Sequence, residues 1–194
     1  MSGTGGGCAA RTAAMGRKGA GPHADDGTDS IQDALRVLHD DVDRRAADVA
    51  SRHGARLKCR PSCTDCCVDG ITVFEVEAER IIRNHPDLLE RGTPFATGAC
   101  AFLDAEGLCR IYEDRPYVCR TQGLPLRWLE EGPDGERLEY RDICPLNEAG
   151  PPLDRIAEDD CWTIGPVEGH LATLQRRATA ADLRRIPLRS LFRK

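Results

Sequence analysis

The sequence predicts a small α+β domain with an irregular, cysteine-rich, metal-centred core, short hairpins inside it, and helices at its amino- and carboxy-terminal sides. Three observations predict this. Eight of the ten cysteines fall between Cys59 and Cys144, and four of those lie in the nine-residue run Cys59 to Cys67. On both sides of that region apolar residues recur at helical spacing, whereas inside it they come in short runs broken by glycine, proline and aspartate. The 194 residues are 40% hydrophobic, enough for one core, but only 5% aromatic and 30% charged, so the aliphatic core is modest and bound metal would supply part of the folding free energy.

Residues 1 to 28 are rich in Gly and Ala, bury too little apolar surface to offset their ordering entropy, and are expected to be a disordered tail in which Cys8 is an incidental thiol. Residues 29–194 are expected to form a single domain with its cysteine core at 59–144. From Ser30, the positions Ile31, Leu35, Leu38, Val42, Ala46 and Val49 describe an amphipathic helix ending near Gly54, with Asp29 or Ser30 as its N-cap. His39 and His53 are assigned to its solvated face. After the cysteine run, Ile71 to Phe74 reads as a short strand and Glu75 to Asn84 as a helix stopped by Pro86, with a further helical turn over Asp87 to Arg91. Two apolar runs flank Asp104-Ala105-Glu106-Gly107, a hairpin candidate with Cys100 and Cys109 at its mouth. Pro116 suits the first turn of a short helix carrying Cys119 and Arg120. A polar hairpin follows from Leu126 to Arg141 around Pro133-Asp134-Gly135, and a helix from about Pro166 to Ala178 presents Val167, Leu171 and Leu174. The stretch from Ala181 to Lys194 is expected to be partly helical, packing Leu183, Ile186 and Leu188 and leaving its Arg and Lys residues solvated.

Thiolates are soft ligands for zinc and for iron–sulfur clusters, and several on one short loop close around an ion at little entropic cost. Disulfides are the alternative use of so many cysteines, but they belong to secreted domains, and the amino terminus lacks the apolar stretch of a signal peptide. Neighbouring side chains in extended backbone point opposite ways, so Cys66 and Cys67 need not serve the same ligand shell. Cys161 beside Trp162 is expected to be a buried thiol. The formal charge of −5 argues against binding nucleic acid through phosphate neutralisation, and no stretch approaches the roughly 20 apolar residues of a membrane span. A soluble, cytoplasmic protein is expected.

The run Cys-Arg-Pro-Ser-Cys-Thr-Asp-Cys-Cys at 59–67, the later Cys100 and Cys144, and above all Cys109-Arg110-Ile111-Tyr112-Glu113-Asp114-Arg115-Pro116-Tyr117-Val118-Cys119-Arg120 resemble the YkgJ-type cysteine-cluster family, whose CxxCxxCC module is described as zinc- or iron-chelating. The resemblance implies a ligand set of Cys59, Cys63, Cys66, Cys67, Cys100, Cys109, Cys119 and Cys144. One departure is visible, because three residues rather than two separate Cys59 from Cys63, which makes the assignment of Cys59 weaker than that of its neighbours. Arg115 and Arg120 would either neutralise a negatively charged thiolate cluster or pair with Glu113, Asp114 or a backbone carbonyl. Flagellin lysine methylases, relatives with a similar cysteine motif, are associated with an iron–sulfur cluster. There is also no second CxxC and no paired histidine of the kind zinc modules use. A [4Fe-4S] cluster is therefore favoured, with zinc as the alternative.

Three functions remain open. The first is a cluster for redox, electron transfer or cluster delivery, the second an iron–sulfur enzyme of sulfur or methyl transfer, and the third an interaction module braced by structural zinc. Cys59-x3-Cys63-x2-Cys66 matches the radical CxxxCxxC pattern literally, but the chain has neither the length nor the repeated βα units of the barrel that motif opens.

Overall fold

The computed structural model describes residues 26–179 and 183–192. Most of the predicted amino-terminal tail, including Cys8, lies outside the described residues.

Helix α1 (Asp26–Arg52) starts four residues before Ser30 and inside the span assigned to the tail. It buries Ile31, Leu35, Val42, Ala46 and Val49, as their spacing predicts. His39 corrects the sequence reading: it is 2% exposed and sits inside the buried stripe, between Leu35 and Val42, while Leu38 flanks the core. A 3.6-residue period through Leu35 reaches position 39 before 38, so the helix geometry itself carries the imidazole inward.

Strand β1 (Thr72–Phe74) runs directly into α2 (Glu75–Asn84), and α3 (Pro86–Arg91) follows across His85. The α2 bounds are those predicted, and proline at the start of α3 fits because a first-turn N–H has no helical partner to lose. Helix α2 divides the interior. Val76 joins a core with α1, Trp162 and the later helix α5 (Pro166–Thr179), whereas Ala78 and Ile81 join a second core with Cys100, Phe102, Leu103, Ile111, Leu188 and Phe192. The second core lies under the cysteines, with Cys67 and Cys109 packed against it.

Between the halves lies a buried carboxylate. Glu77, 3% exposed, accepts hydrogen bonds from the Phe74 N–H at 3.3 Å and the Tyr117 N–H at 2.7 Å. The His39 Nε2–H donates to the same carboxylate at 3.2 Å. The bond back to Phe74 is half of a capping box; phenylalanine has no oxygen to complete it. Burial holds the His39 pKa below its ordinary value, against the opposing pull of Glu77, so the ring is neutral when folded. The unfolded chain therefore takes up a proton that the folded one resists once pH falls below about 6.5, and stability drops with it. The urea midpoint is expected to fall between pH 7.5 and 5.5. His39→Gln, which keeps a donor but cannot titrate, should flatten that slope; an unchanged slope would show that His39 is not its source.

After the signature segment comes the short helix α4 (Tyr117–Arg120), with Pro116 as N-cap rather than inside its first turn. Strands β2 (Leu126–Glu131) and β3 (Arg137–Asp142) form the expected hairpin, turned at Gly135 with φ 77°, with Trp128 stacked on Tyr140. The short β4 (Trp162–Thr163) adds to β2 in parallel, giving the order β3-β2-β4.

The carboxy-terminal stretch differs from expectation. It forms β5 (Arg185–Pro187), antiparallel to β1, and then a 3-10 turn over Leu188–Leu191. Proline at 187 explains this, since it disfavours helical backbone at Ile186 and has no N–H to continue a helix. Leu188 is buried as expected, but Leu183 is exposed. Nor is Arg189 solvated. Its guanidinium pairs with Asp69 at 2.8 Å and donates to the carbonyls of Phe95 at 2.8 Å and Ala99 at 2.7 Å.

A candidate metal centre

The first cysteine loop is fixed at its base by Arg56, 8% exposed, whose guanidinium donates to the carbonyls of Asn147, Glu148 and Pro151. Two tight turns follow, with the Cys63 N–H bonded to the Arg60 carbonyl and the Cys67 N–H to that of Thr64. Ser62, at φ 64°, is the one non-glycine residue among those described with positive φ. It lies in the interval where this chain has one residue more than a CxxC spacing, so the left-handed turn absorbs the extra length.

The second cysteine segment is stitched to the first. The Cys100 N–H donates to the Cys67 carbonyl at 2.8 Å, and Val68 bridges Ala99. The expected hairpin here is reduced to one bridge, Leu103 to Cys109, around a turn whose Gly107 has φ 77° and whose N–H groups at Glu106 and Leu108 are held by the Asp104 carboxylate. Cys109 lies in that bridge and Cys100 is buried just before it.

The third segment is the Arg-Pro stretch leading to Cys119. Asp114 pairs with Arg80 at 2.8 Å and His85 at 2.9 Å, fixing the loop to α2 and to the start of α3. Arg115 donates to Asp43 at 3.0 Å and to the Tyr112 carbonyl, and packs over the Tyr112 ring. Arg120 donates to Asp43 at 2.5 Å and to the carbonyls of Arg115 and Glu113. Both guanidinium groups are thus shared between backbone carbonyls and one carboxylate of α1, and together they pin the Cys119 helix to α1.

Electrostatics reports which thiols sense one another. Interaction between these neighbouring thiols lowers Cys66 to about 6 and, with burial, pushes Cys67 well up. Cys119 is pushed up to about 12, chiefly by burial and then by Cys100, Cys109 and Cys66. Burial raises Cys109 most, with Cys100 adding to it while Arg115 and Arg110 pull the other way. Cys144 is raised by burial first and then by Cys59 and Cys66. Cys100 is buried and Cys59 exposed, with Cys66, Cys67, Cys109, Cys119 and Cys144 half-buried between them. Cys63, on the first loop, is also half-buried. None of the nine described cysteines is in a disulfide.

Cys59 has its own seat. The Asn147 amide donates to its Sγ at 3.6 Å, and a Cβ on Gly123 would lie 2.4 Å from that sulfur, so the seat exists because residue 123 is glycine, at φ 91°. Cys161 is elsewhere, buried beside a cavity of about 280 Å³ lined by Arg45, Arg127 and Trp162. Three of the described histidines are engaged elsewhere: His39 bonds Glu77, His53 bonds the Asp160 carbonyl and His85 pairs with Asp114. Among the described residues no three His, Cys, Asp or Glu groups already form a metal shell. The frame gathers soft donors that sense one another's charge and leaves room for a sulfur at Gly123. That donor set fits a thiolate-bound metal, with shell closure coupled to proton loss.

Residues 58–145 match the family model CxxCxxCC, described as a "putative zinc- or iron-chelating domain". Over this segment the chain is similar to that family. No curated protein and no solved structure gives a significant match. The matched segment spans under half of the chain, and what lies outside it supplies the supports: Asp43 from α1, Asn147 after Cys144, and Arg189. Of these, the sequence offered a signal only for α1 as an element. Glu77 was hidden by its ordinary place in the first turn of α2. No described helix is long and apolar enough to cross a membrane.

Proposed function

We propose that the matched segment holds a [4Fe-4S] cluster, drawing its thiolates from Cys59, Cys63, Cys66, Cys67, Cys100, Cys109, Cys119 and Cys144, for redox or electron-transfer use. The observation that supports this reading is that Cys67, Cys100 and Cys109, drawn from two segments, pack on one apolar core, with the Cys100 N–H bonded to the Cys67 carbonyl at 2.8 Å. The donor set is sulfur alone and exceeds the four that a structural zinc needs. When bound, the cluster supplies one-electron chemistry at a potential set by its surroundings.

The chain's own residues orient and insulate. The neighbouring Cys67 favours Cys66 as a thiolate, the form a metal takes. Phe102 and Ile111, 0% and 2% exposed, put an apolar floor under the inner thiols and keep water from that side. Arg115 and Arg120 act mainly by position, through Asp43, while the positive charge of Arg115 favours the thiolate of Cys109. The thiols in excess of four are what sulfur or methyl transfer would require, and that enzymatic reading stands second.

The test is anaerobic purification followed by an absorption spectrum and iron, acid-labile sulfide and zinc per chain. A broad band near roughly 400 nm with matched iron and sulfide is the expected result. Colourless protein with stoichiometric zinc would replace this reading with a structural zinc module.

A further inference from the structure

We propose that Asn147, acting against Gly123, is the positioning residue that makes Cys59 a metal ligand; this rests on the thiolate-metal reading above. Asn147 is fully buried, and each of its polar groups has a partner. Its Oδ1 accepts from the Lys58 N–H at 2.7 Å, and its Nδ2 donates to the Gly123 carbonyl at 2.8 Å and to Cys59 Sγ at 3.6 Å. Its own N–H donates to the Cys144 carbonyl at 2.7 Å, and its carbonyl receives Arg56 Nε at 2.7 Å. One side chain thus locates the residue before Cys59, the sulfur of Cys59 and the glycine beneath that sulfur, while its backbone locates Cys144.

The chemistry selects an amide. A carboxamide has two N–H donors and an acceptor, and this seat requires two donations and one acceptance. Aspartate would keep the Lys58 bond but set oxygen against both the Gly123 carbonyl and the sulfur. An N–H aimed at sulfur is strongest when the sulfur is anionic, so the bond favours the metal-bound thiolate over the thiol. Gly123 makes the opposite wall, because any side chain there would occupy the sulfur's place. The departure from CxxC spacing is thereby compensated: the sequence loosens Cys59, and Asn147 with Gly123 fixes it again.

The test is anaerobic titration of the metal-free full chain with Co(II), reading affinity by chelator competition and the thiolate-to-cobalt charge-transfer band per bound ion. Asn147→Asp is the first variant and Asn147→Ser, smaller and uncharged, the second should the first not fold. Cys59→Ala and the double variants complete a cycle. Either Asn147 variant is expected to weaken cobalt binding by roughly 10- to 100-fold and to lower the band as Cys59→Ala does. In the Cys59→Ala background it should cost little more. Full affinity and band in both Asn147 variants, or a loss that adds in full to that of Cys59→Ala, would overturn the positioning role while leaving Cys59 a ligand. If Cys59→Ala changes nothing, or the wild-type chain binds no cobalt through sulfur, the proposal falls; the cluster reading stands or falls separately on the iron and sulfide analysis.

Discussion

Cys67→Ser is expected to reduce metal per chain to a small fraction of the wild-type value. The hydroxyl is nearly isosteric with the thiol, and the backbone bond from Cys100 to the residue 67 carbonyl does not depend on the side chain. What is lost is a soft donor that stands next to Cys66 and within the fields of Cys100 and Cys119. Structural zinc in small modules contributes about 10–16 kcal/mol. A quarter of that is roughly 3 kcal/mol, or more than a hundredfold in affinity for one ligand of four. Anaerobic reconstitution followed by elemental analysis measures it directly, with Cys161→Ser as a control expected to hold the wild-type amount. A Cys67→Ser protein as metal-rich as its parent would remove Cys67 from the ligand set. Because the apolar cores are modest, metal-free protein should also unfold at lower urea than loaded protein.

Glu77→Ala should be the most damaging single substitution for the metal-free fold, costing about 3–5 kcal/mol in urea denaturation. Its carboxylate receives the N–H of Phe74, the N–H of Tyr117 and the ring of His39 in a buried setting. Removing it orphans three donors at about 1–3 kcal/mol each, partly relieved by local relaxation. Glu77→Gln, which keeps one oxygen, should lose less. Tyr117 opens the helix that carries Cys119, so metal affinity should fall along with stability. Both variants unfolding at the wild-type midpoint would show that this carboxylate does not join the two halves.

What could be read from the sequence followed from local rules. Helix α2 was bounded by a strand before it and a proline after it, the β2–β3 hairpin was announced by Pro133-Asp134-Gly135, and the cysteine pattern named the family segment. The supports around the cysteines obey no local rule. Asp43 meets Arg120 from 77 positions away and Asn147 meets Cys59 from 88, and neither residue type signals burial on its own. His39 was legible in principle from strict periodicity, but polarity pulled the reading outward. In the carboxy-terminal stretch the helical reading gave too little weight to Pro187, and pairing with β1 is a long-range event. The roles of the individual cysteines follow no local rule either, because gathering donors is a property of the fold whereas choosing among them belongs to the metal.

The bond between Asp69 and Arg189 also sets an order in time. During synthesis, Cys59 to Cys67 emerge long before their last support, since 120 positions separate the two partners. At about 5–20 residues per second, that interval is roughly 6–24 s. For that period the nascent loops have no β5 beside β1 and no guanidinium holding the carbonyls before Cys100. The cysteine frame is thus completed late, by a residue three positions before the last one described.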